Sequence, residues 1–427
     1  MKTTFEIERN HDNLINSFNL EERKNSFIKL LEKCRVSSYF EETQNILLFN
    51  LHCHSFFSYN GYNLSPTGLV WNAIKNNLYA IGLVDFDVLD GVEEFLECCE
   101  KANIRGCAGF ETRVFIPQFA KYQINSPGEV GICYHIGMGF TSQKVRKLET
   151  LKKLKSIAQS RIKNIIELVN SFLYPLTIDC EKDVIPLTPA GNPTERHLCV
   201  AFLEKSKMVY AKQEEFLKFW SEKLGTPISE LEKVTEDNNS FQNLIRSKLM
   251  KLGGPGYIKP EPETFPTLNE VNEFILANGG IPTFAWLDGT SDGEQKIEEL
   301  LTLMTASGVH AVNIIPERNW NIKDPELKKV KLQNLEKFIM VAKELYFPIF
   351  IGTELNAPGQ KFVDNLDCPE LRPYYQLFLD GVHIAYAHTI LQRIKGMGFT
   401  SPWSLSYFST PKERYEFFKE IGTKLKP

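Results

Sequence analysis

The chain holds only eight histidines, and two of them stand one residue apart at the end of an apolar run, in "ILLFNLHCHSFFSYNGYNLSP" (46–66). In an extended strand, side chains alternate between faces, so His52 and His54 point the same way. Two imidazoles side by side at a strand end can grip one metal ion. The competing account is a pair of hydrogen-bonded polar residues at a strand terminus, since histidine serves both purposes. An isolated His-x-His does not decide between them, so the elements around the pair carry the argument.

Several short apolar runs end, like this one, in polar or charged residues. They are "AIGLVDFD" (80–87), "CAGFETRVF" (107–115), "GICYHIGMGF" (131–140), "PTFAWLDG" (282–289), "AVNIIPERN" (311–319) and "PIFIGTELN" (348–356). Amphipathic segments such as "PTGLVWNAIKNNL" and "DGVEEFLECCEKAN" lie between them. Short buried strands alternating with helices predict a parallel α/β sheet or barrel. Seven strands favour a barrel, whose functional residues collect at the C-terminal strand ends. Residues 1–44 are expected to form an N-terminal helical extension, and 45–140 with 258–427 the barrel. Between them, 141–257 is Lys-rich and helical in pattern, and it closes on the breaker-rich "LGGPGYIKPEPETFP". It is expected to be an inserted helical domain.

Composition narrows the function classes. With 427 residues, 43% hydrophobic and a formal net charge of −4, the chain has no basic surplus for an extended nucleic-acid surface. Its polar N-terminus lacks the apolar core of a signal peptide, and no run approaches the 18 apolar residues of a membrane span. The nine cysteines form no CxxC pair and suit reduced thiols, so a cytoplasmic location is expected. The glycine-rich "GGPG" has no Walker lysine and is better read as a hinge.

The series "LHCHS", "SYNG", "VDFD" and "GFE", in that order, resembles the opening of the PHP (polymerase and histidinol phosphatase) family of metal-dependent phosphoesterases. The insertion adds "TERHLCVAFLEKS" and "KLGGPGYIKP", echoes of one PHP branch. The resemblance implies a distorted seven-stranded, TIM-like barrel with up to three metal ions. For a first ion it implies His52, His54, Glu111 and, in "GTELN", Glu354 in place of the usual Asp. Two nitrogens and two carboxylates suit Zn, Mn or Fe. For a second ion it implies Glu111 and His135, while Trp286 stands where a further histidine is usual. Indole offers only an N–H donor, so Asp288 or His197 would have to substitute. For a third ion the expected positions hold Asn60, Phe86 and Asn356, and the site is lost.

The resemblance thus implies one or two divalent ions and hydrolysis of a phosphate ester by metal-activated water. The substrate would be a small phosphorylated molecule or nucleotide. Arg196 and Arg318 are candidate catalytic cations, since guanidinium matches phosphate geometry; Arg196 also sits in the "RH" pair of the insertion motif. Asn356 and Lys361, with Gln360 and Asp364, fall in a turn-rich loop suited to substrate contact. His388 could approach the barrel mouth, although a structural role suits it better. Two alternatives stay open: a decayed PHP barrel that binds without turnover, and a different metal-assisted hydrolysis such as amide cleavage.

Overall fold

A computed structural model describes residues 14–36, 46–259, 261 and 264–427. In chain order the elements begin with α1 (Leu20–Val36), β1 (Leu48–Cys53), α2 (Pro66–Lys75), β2 (Leu78–Phe86), α3 (Val92–Ala102), β3 (Arg105–Phe115) and β4 (Ile132–Met138). The helices α4 (Leu148–Leu173), α5 (Glu195–Val209), α6 (Gln213–Leu224), α7 (Ile228–Val234) and α8 (Asn238–Leu249) follow. The chain then returns through α9 (Leu268–Ala277), β5 (Ile281–Trp286), α10 (Ile297–Ala306), β6 (Ala311–Ile314), α11 (Glu317–Trp320), α12 (Pro325–Glu344) and β7 (Ile349–Ile351). It ends with α13 (Tyr375–Lys395), α14 (Pro402–Tyr407) and α15 (Pro411–Lys424).

The seven strands form one sheet in sequential order, β1 to β7. All neighbours are parallel except at β4, which runs antiparallel to both β3 and β5. This departs from the all-parallel expectation, and the connections explain it. The link from β3 to β4 contains only a short 3-10 turn, Pro117–Phe119, and no crossover helix to carry the chain back to the other end. The long helical segment then takes the chain from β4 to β5.

The ends of the sheet meet at β1 and Glu354. The Glu354 N–H donates to the His52 carbonyl and the His54 N–H donates to the Glu354 carbonyl, each at 2.8 Å. Gly352 is required here: a Cβ on it would lie 2.4 Å from the His52 nitrogen. Glu354 and Leu355 both take positive φ, 66° and 56°, a conformation that non-glycine residues adopt only when their surroundings compel it.

One apolar cluster fills and surrounds the barrel. It includes Phe27 and Leu30 of α1 and extends to Phe418 of α15. A buried pair holds α1 in place, with both Arg23 nitrogens Nε and Nη2 on the Glu94 carboxylate. A second cluster, centred on Trp220, Phe202 and Ile165, occupies the helices α4 to α8. Among the described residues eight cysteines are free, and no helix is long and apolar enough to cross a membrane.

His388 is structural. On α13, its Nδ1 accepts the Phe399 N–H at 2.8 Å and its Nε2 donates to the Gly139 carbonyl at 3.1 Å. Burial pushes its pKa from 6.5 down to about 4. The unfolded chain therefore binds a proton between those values that the folded chain refuses, and stability falls as pH drops through that window. Urea midpoints are expected to decline between pH 6.5 and pH 4, and His388→Gln, which keeps a neutral donor and acceptor, is expected to flatten part of that slope.

Candidate metal centre

Three side chains meet inside the barrel mouth. His52 lies on β1, His54 just beyond its end, and Glu111 on β3, and all three are buried. The two Nε2 atoms are 3.3 Å apart, and Glu111 Oε2 lies 3.4 Å from one and 3.2 Å from the other. A tetrahedral ion with bonds of about 2.0–2.1 Å needs ligand atoms separated by roughly 3.3–3.4 Å. Two nitrogens and one carboxylate oxygen at that spacing fit a transition-metal ion. Among the described residues this is the group of metal-ligating side chains close enough to share one.

The outer atoms of both rings are also committed. His52 Nδ1 faces Asn313 Oδ1 on β6 at 2.9 Å. His54 Nδ1 faces the Ser58 hydroxyl at 3.4 Å, and that hydroxyl donates to Asp85 at 2.7 Å. Asp85 also accepts the N–H and hydroxyl of Ser55. Acceptors at both Nδ1 positions hold protons there, which makes Nε2 the atom through which either ring would bind a cation. Burial pushes the Glu111 carboxyl upward, but the two imidazoles overcome it and hold the group at about 2. His52 is moved the other way, its burial outweighed by Glu111.

Glu354, expected as a fourth ligand, is not in that group. Its strained backbone sets it in the same cavity, but its carboxylate is held by Arg318 Nη2 at 2.9 and 3.2 Å and by Gln360 Nε2 at 3.2 Å. Arg318 lines the same cavity as the partner of Glu354.

The expected second site does not assemble. β4 is antiparallel to β3, with Glu111 opposite Ile136 and Thr112 opposite His135. His135 consequently faces out of the barrel, where its Nε2 meets Asn272 of α9 at 2.6 Å and burial lowers its pKa to about 4. Tyr134 takes the cavity-facing place. Trp286 shares the outward face through the pairing of Phe284 with His135, and stacks on Phe338 of α12 at 4.5 Å. Asp288 is a loop cap: it accepts from Thr290 and pairs with Lys331 at 2.8 Å. His197 closes the capping box of α5 with Thr194. Lys361 pairs with Glu317 at 3.1 Å and does not line the cavity.

The three substituted positions have other work. The Phe86 ring stacks on His54 at 4.2 Å, and Asn60 uses its amide to hold the His54 carbonyl and the Tyr62 and Leu64 N–H groups. Asn356 lines the cavity.

That cavity, of about 670 Å³, runs from His52 and Glu111 to the helices α4, α5 and α8. Its far wall is cationic: Arg113, Arg161, Arg196, Arg246 and Lys251. Glu129 is shared by Arg113 at 3.0 Å and Arg161 at 3.5 Å. Glu195 is shared by Arg246 at 2.9 Å and Lys251 at 2.7 Å. Arg196 donates only to the neutral amide of Asn243. Burial, together with neighbouring guanidinium groups, lowers the pKa of Arg161, Arg196 and Lys251. The lowering reflects burial and mutual repulsion among like charges, which an anion in the cavity would relieve. Asp87, lining the same cavity, is pushed up to about 6 by burial despite the Thr112 hydroxyl bond.

Sequence reasoning identified Arg196 in this wall and missed the others. Arg113 was accessible, because it follows Glu111 by two residues and period 2 puts both on one face. Arg161, Arg246 and Lys251 carried no signal among the many basic residues of the insertion. Asn313 was hidden for another reason, being one amide within the apolar run "AVNII".

The two histidine environments predict different responses. His52→Ala is expected to abolish tight uptake of one divalent ion, measured by calorimetry. His135→Ala is expected to leave uptake unchanged while lowering unfolding stability by about 1–3 kcal/mol, the usual effect of leaving a buried hydrogen-bond partner unpaired.

A family model described as the PHP domain matches residues 50–261. Among solved structures the chain is similar to an amidohydrolase from Chromobacterium violaceum, with bound sulfate and no metal. The identity is 17% over 78% of this chain and 96% of that one, with a TM-score of 0.51. It is also similar to a provisionally assigned metal-dependent phosphoesterase from Bifidobacterium adolescentis, at 17% identity over 77% and 96% of the two chains, with a TM-score of 0.48. No curated protein matches significantly. At such identities structural likeness speaks for the fold alone, and it is the sequence match that identifies residues 50–261 as a PHP domain.

Proposed function

We propose that this protein is a metal-dependent hydrolase that cleaves a phosphate ester in a small phosphorylated molecule or nucleotide, with one divalent ion of the Zn, Mn or Fe type. The observation that carries the reading is the convergence of His52 Nε2, His54 Nε2 and Glu111 Oε2 at separations of 3.2–3.4 Å, suited to a single cation. Bound there, such an ion lowers the pKa of water and polarises a phosphoryl oxygen.

The residues of the chain supply the rest. Arg318 and Glu354 flank the centre, and Arg318 offers a guanidinium for charge developing on the phosphoryl group. Asp87, held near pH 6, is the cavity carboxyl with a proton affinity suited to exchange with water or a leaving oxygen. The wall built from Arg113, Arg161, Arg196, Arg246 and Lys251 supports an anionic substrate, since its two glutamates leave positive charge to be neutralised. Aromatic faces at Tyr59, Phe86 and Tyr134 give an apolar or heterocyclic group a surface to lie on.

A second reading, binding without turnover, is favoured by the Phe86 ring, which covers His54 where the family resemblance implies a further metal ligand. The two readings separate on turnover. Protein loaded in turn with Mn, Zn and Fe is expected to hydrolyse p-nitrophenyl phosphate or bis(p-nitrophenyl) phosphate, and chelation or His52→Ala to reduce the rate to background. Arg196→Gln is expected to raise KM about tenfold or more with a smaller effect on kcat, the signature of lost substrate binding. Tight metal and phosphate binding without turnover of these esters would select the binding reading; cleavage of N-acyl compounds alone would select amide hydrolysis.

A further inference from the structure

Asn313 sits in the middle of β6 and is 1% exposed. Its amide has two ends, and the structure uses only one. Oδ1 receives His52 Nδ1 at 2.9 Å, whereas Nδ2 is buried with no hydrogen-bond partner. An unpartnered buried N–H donor costs about 1–3 kcal/mol. A valine or leucine would suit the parallel-sheet interior of β6 without that cost. The residue lines the cavity beside His52, Glu111, Arg318 and Glu354. Its place is set by register: Asn313 pairs with Ala285 on β5 and Phe350 on β7, and Ala285 also lines the cavity.

We propose that Asn313 has a double role at the centre: its carbonyl oxygen fixes the His52 tautomer, and its free N–H donates to an oxygen of a phosphate group bound there. The first half follows from acid–base logic. An imidazole that donates from Nδ1 presents its lone pair at Nε2, the atom that faces His54 and Glu111. The second half follows from what else is close by. Arg318 spends its Nη2 on Glu354, and Asn313 Nδ2 is a buried donor without a partner beside His52. A neutral amide beside an anionic ligand set is chemically apt. It offers a hydrogen bond to a phosphoryl oxygen without competing as a cation for Glu111.

This inference rests on the metal-centre reading above, and two substitutions divide its halves. Asn313→Asp keeps an acceptor for His52 but replaces the N–H donor with a carboxylate oxygen. Asn313→Ala removes both. The readouts are Mn affinity by calorimetry and affinity of the Mn-loaded protein for inorganic phosphate, with thermal melting as the fold control. Asn313→Asp is expected to hold Mn as tightly as the unmodified protein or more tightly, and to bind phosphate at least tenfold more weakly. Asn313→Ala is expected to lose about 10–100-fold in Mn affinity, the range found when the partner of a metal-bound histidine is removed. A residue of merely structural importance would lower melting temperature in both variants without splitting the two affinities. Unchanged phosphate affinity in Asn313→Asp, or unchanged Mn affinity in Asn313→Ala, overturns the double role. Failure of the unmodified protein to take up any divalent ion overturns the functional reading and this inference together.

Discussion

The closure of the barrel at Glu354 is the constraint on which the rest depends. β7 is only three residues long, and the ring is completed by one residue held at φ 66° that pairs its N–H and carbonyl with His52 and His54. Those two hydrogen bonds fix the backbone from which both imidazoles project. They also carry the Glu354 carboxylate to the same mouth. Gly352 allows the approach, since any side chain there would collide with the backbone of β1. Closure and site are one arrangement: the strand that ends the sheet is pinned to the residues that gather the donor atoms. Strain stored at such a residue persists only where its neighbours over-determine it, and here the pairing on both sides does so.

A second consequence is electrostatic. His52, His54 and Glu111 make a compact, buried set in which a carboxylate held at about 2 stays ionised at any physiological pH. Across the cavity, guanidinium groups outnumber the glutamates they share. One end of the cavity therefore attracts a cation and the other an anion. On the proposed reading a phosphate ester with its metal ion carries both charges, and the separation of the two ends would orient it. The helices that supply Arg161, Arg196 and Arg246 have their own apolar cluster, and Glu129 ties Arg161 to Arg113 of β3.

The sequence showed some of this plainly. The His-x-His pair, the seven apolar runs and the helical segment from 141 to 257 are visible because each rests on local pattern: strand alternation, run length, amphipathic spacing. Glu111 was legible through motif order. What failed was parity. His135 was expected at the mouth because it lies in the right run, but whether a strand residue faces in or out depends on direction and register, and the reversal of β4 sets Tyr134 inward instead. Asp288 and His197 failed for a different reason. Both belong to residue types equally suited to capping, and local hydrogen bonds to Thr290 and Thr194 claimed them. Asn313 could not be singled out from sequence, since its meaning lies in a contact with a residue 261 positions away.

The replacements that removed expected ligands are coupled through contact. Phe86 cannot coordinate, but its ring stacks on His54 and covers one face of that imidazole. Sealing lowers the local dielectric, which strengthens the attraction between the remaining donors and a cation while making a second cation next to it costlier. Asn60, relieved of any coordinating role, uses its whole amide to hold the turn after β1, including the His54 carbonyl. Charge that additional ions would have brought to a phosphoryl group must then come from the protein, and the cavity contains that charge as Arg318 and the arginine wall. On the proposed reading, fixed guanidinium groups supply part of the neutralisation of the phosphoryl group that a single ion leaves undone.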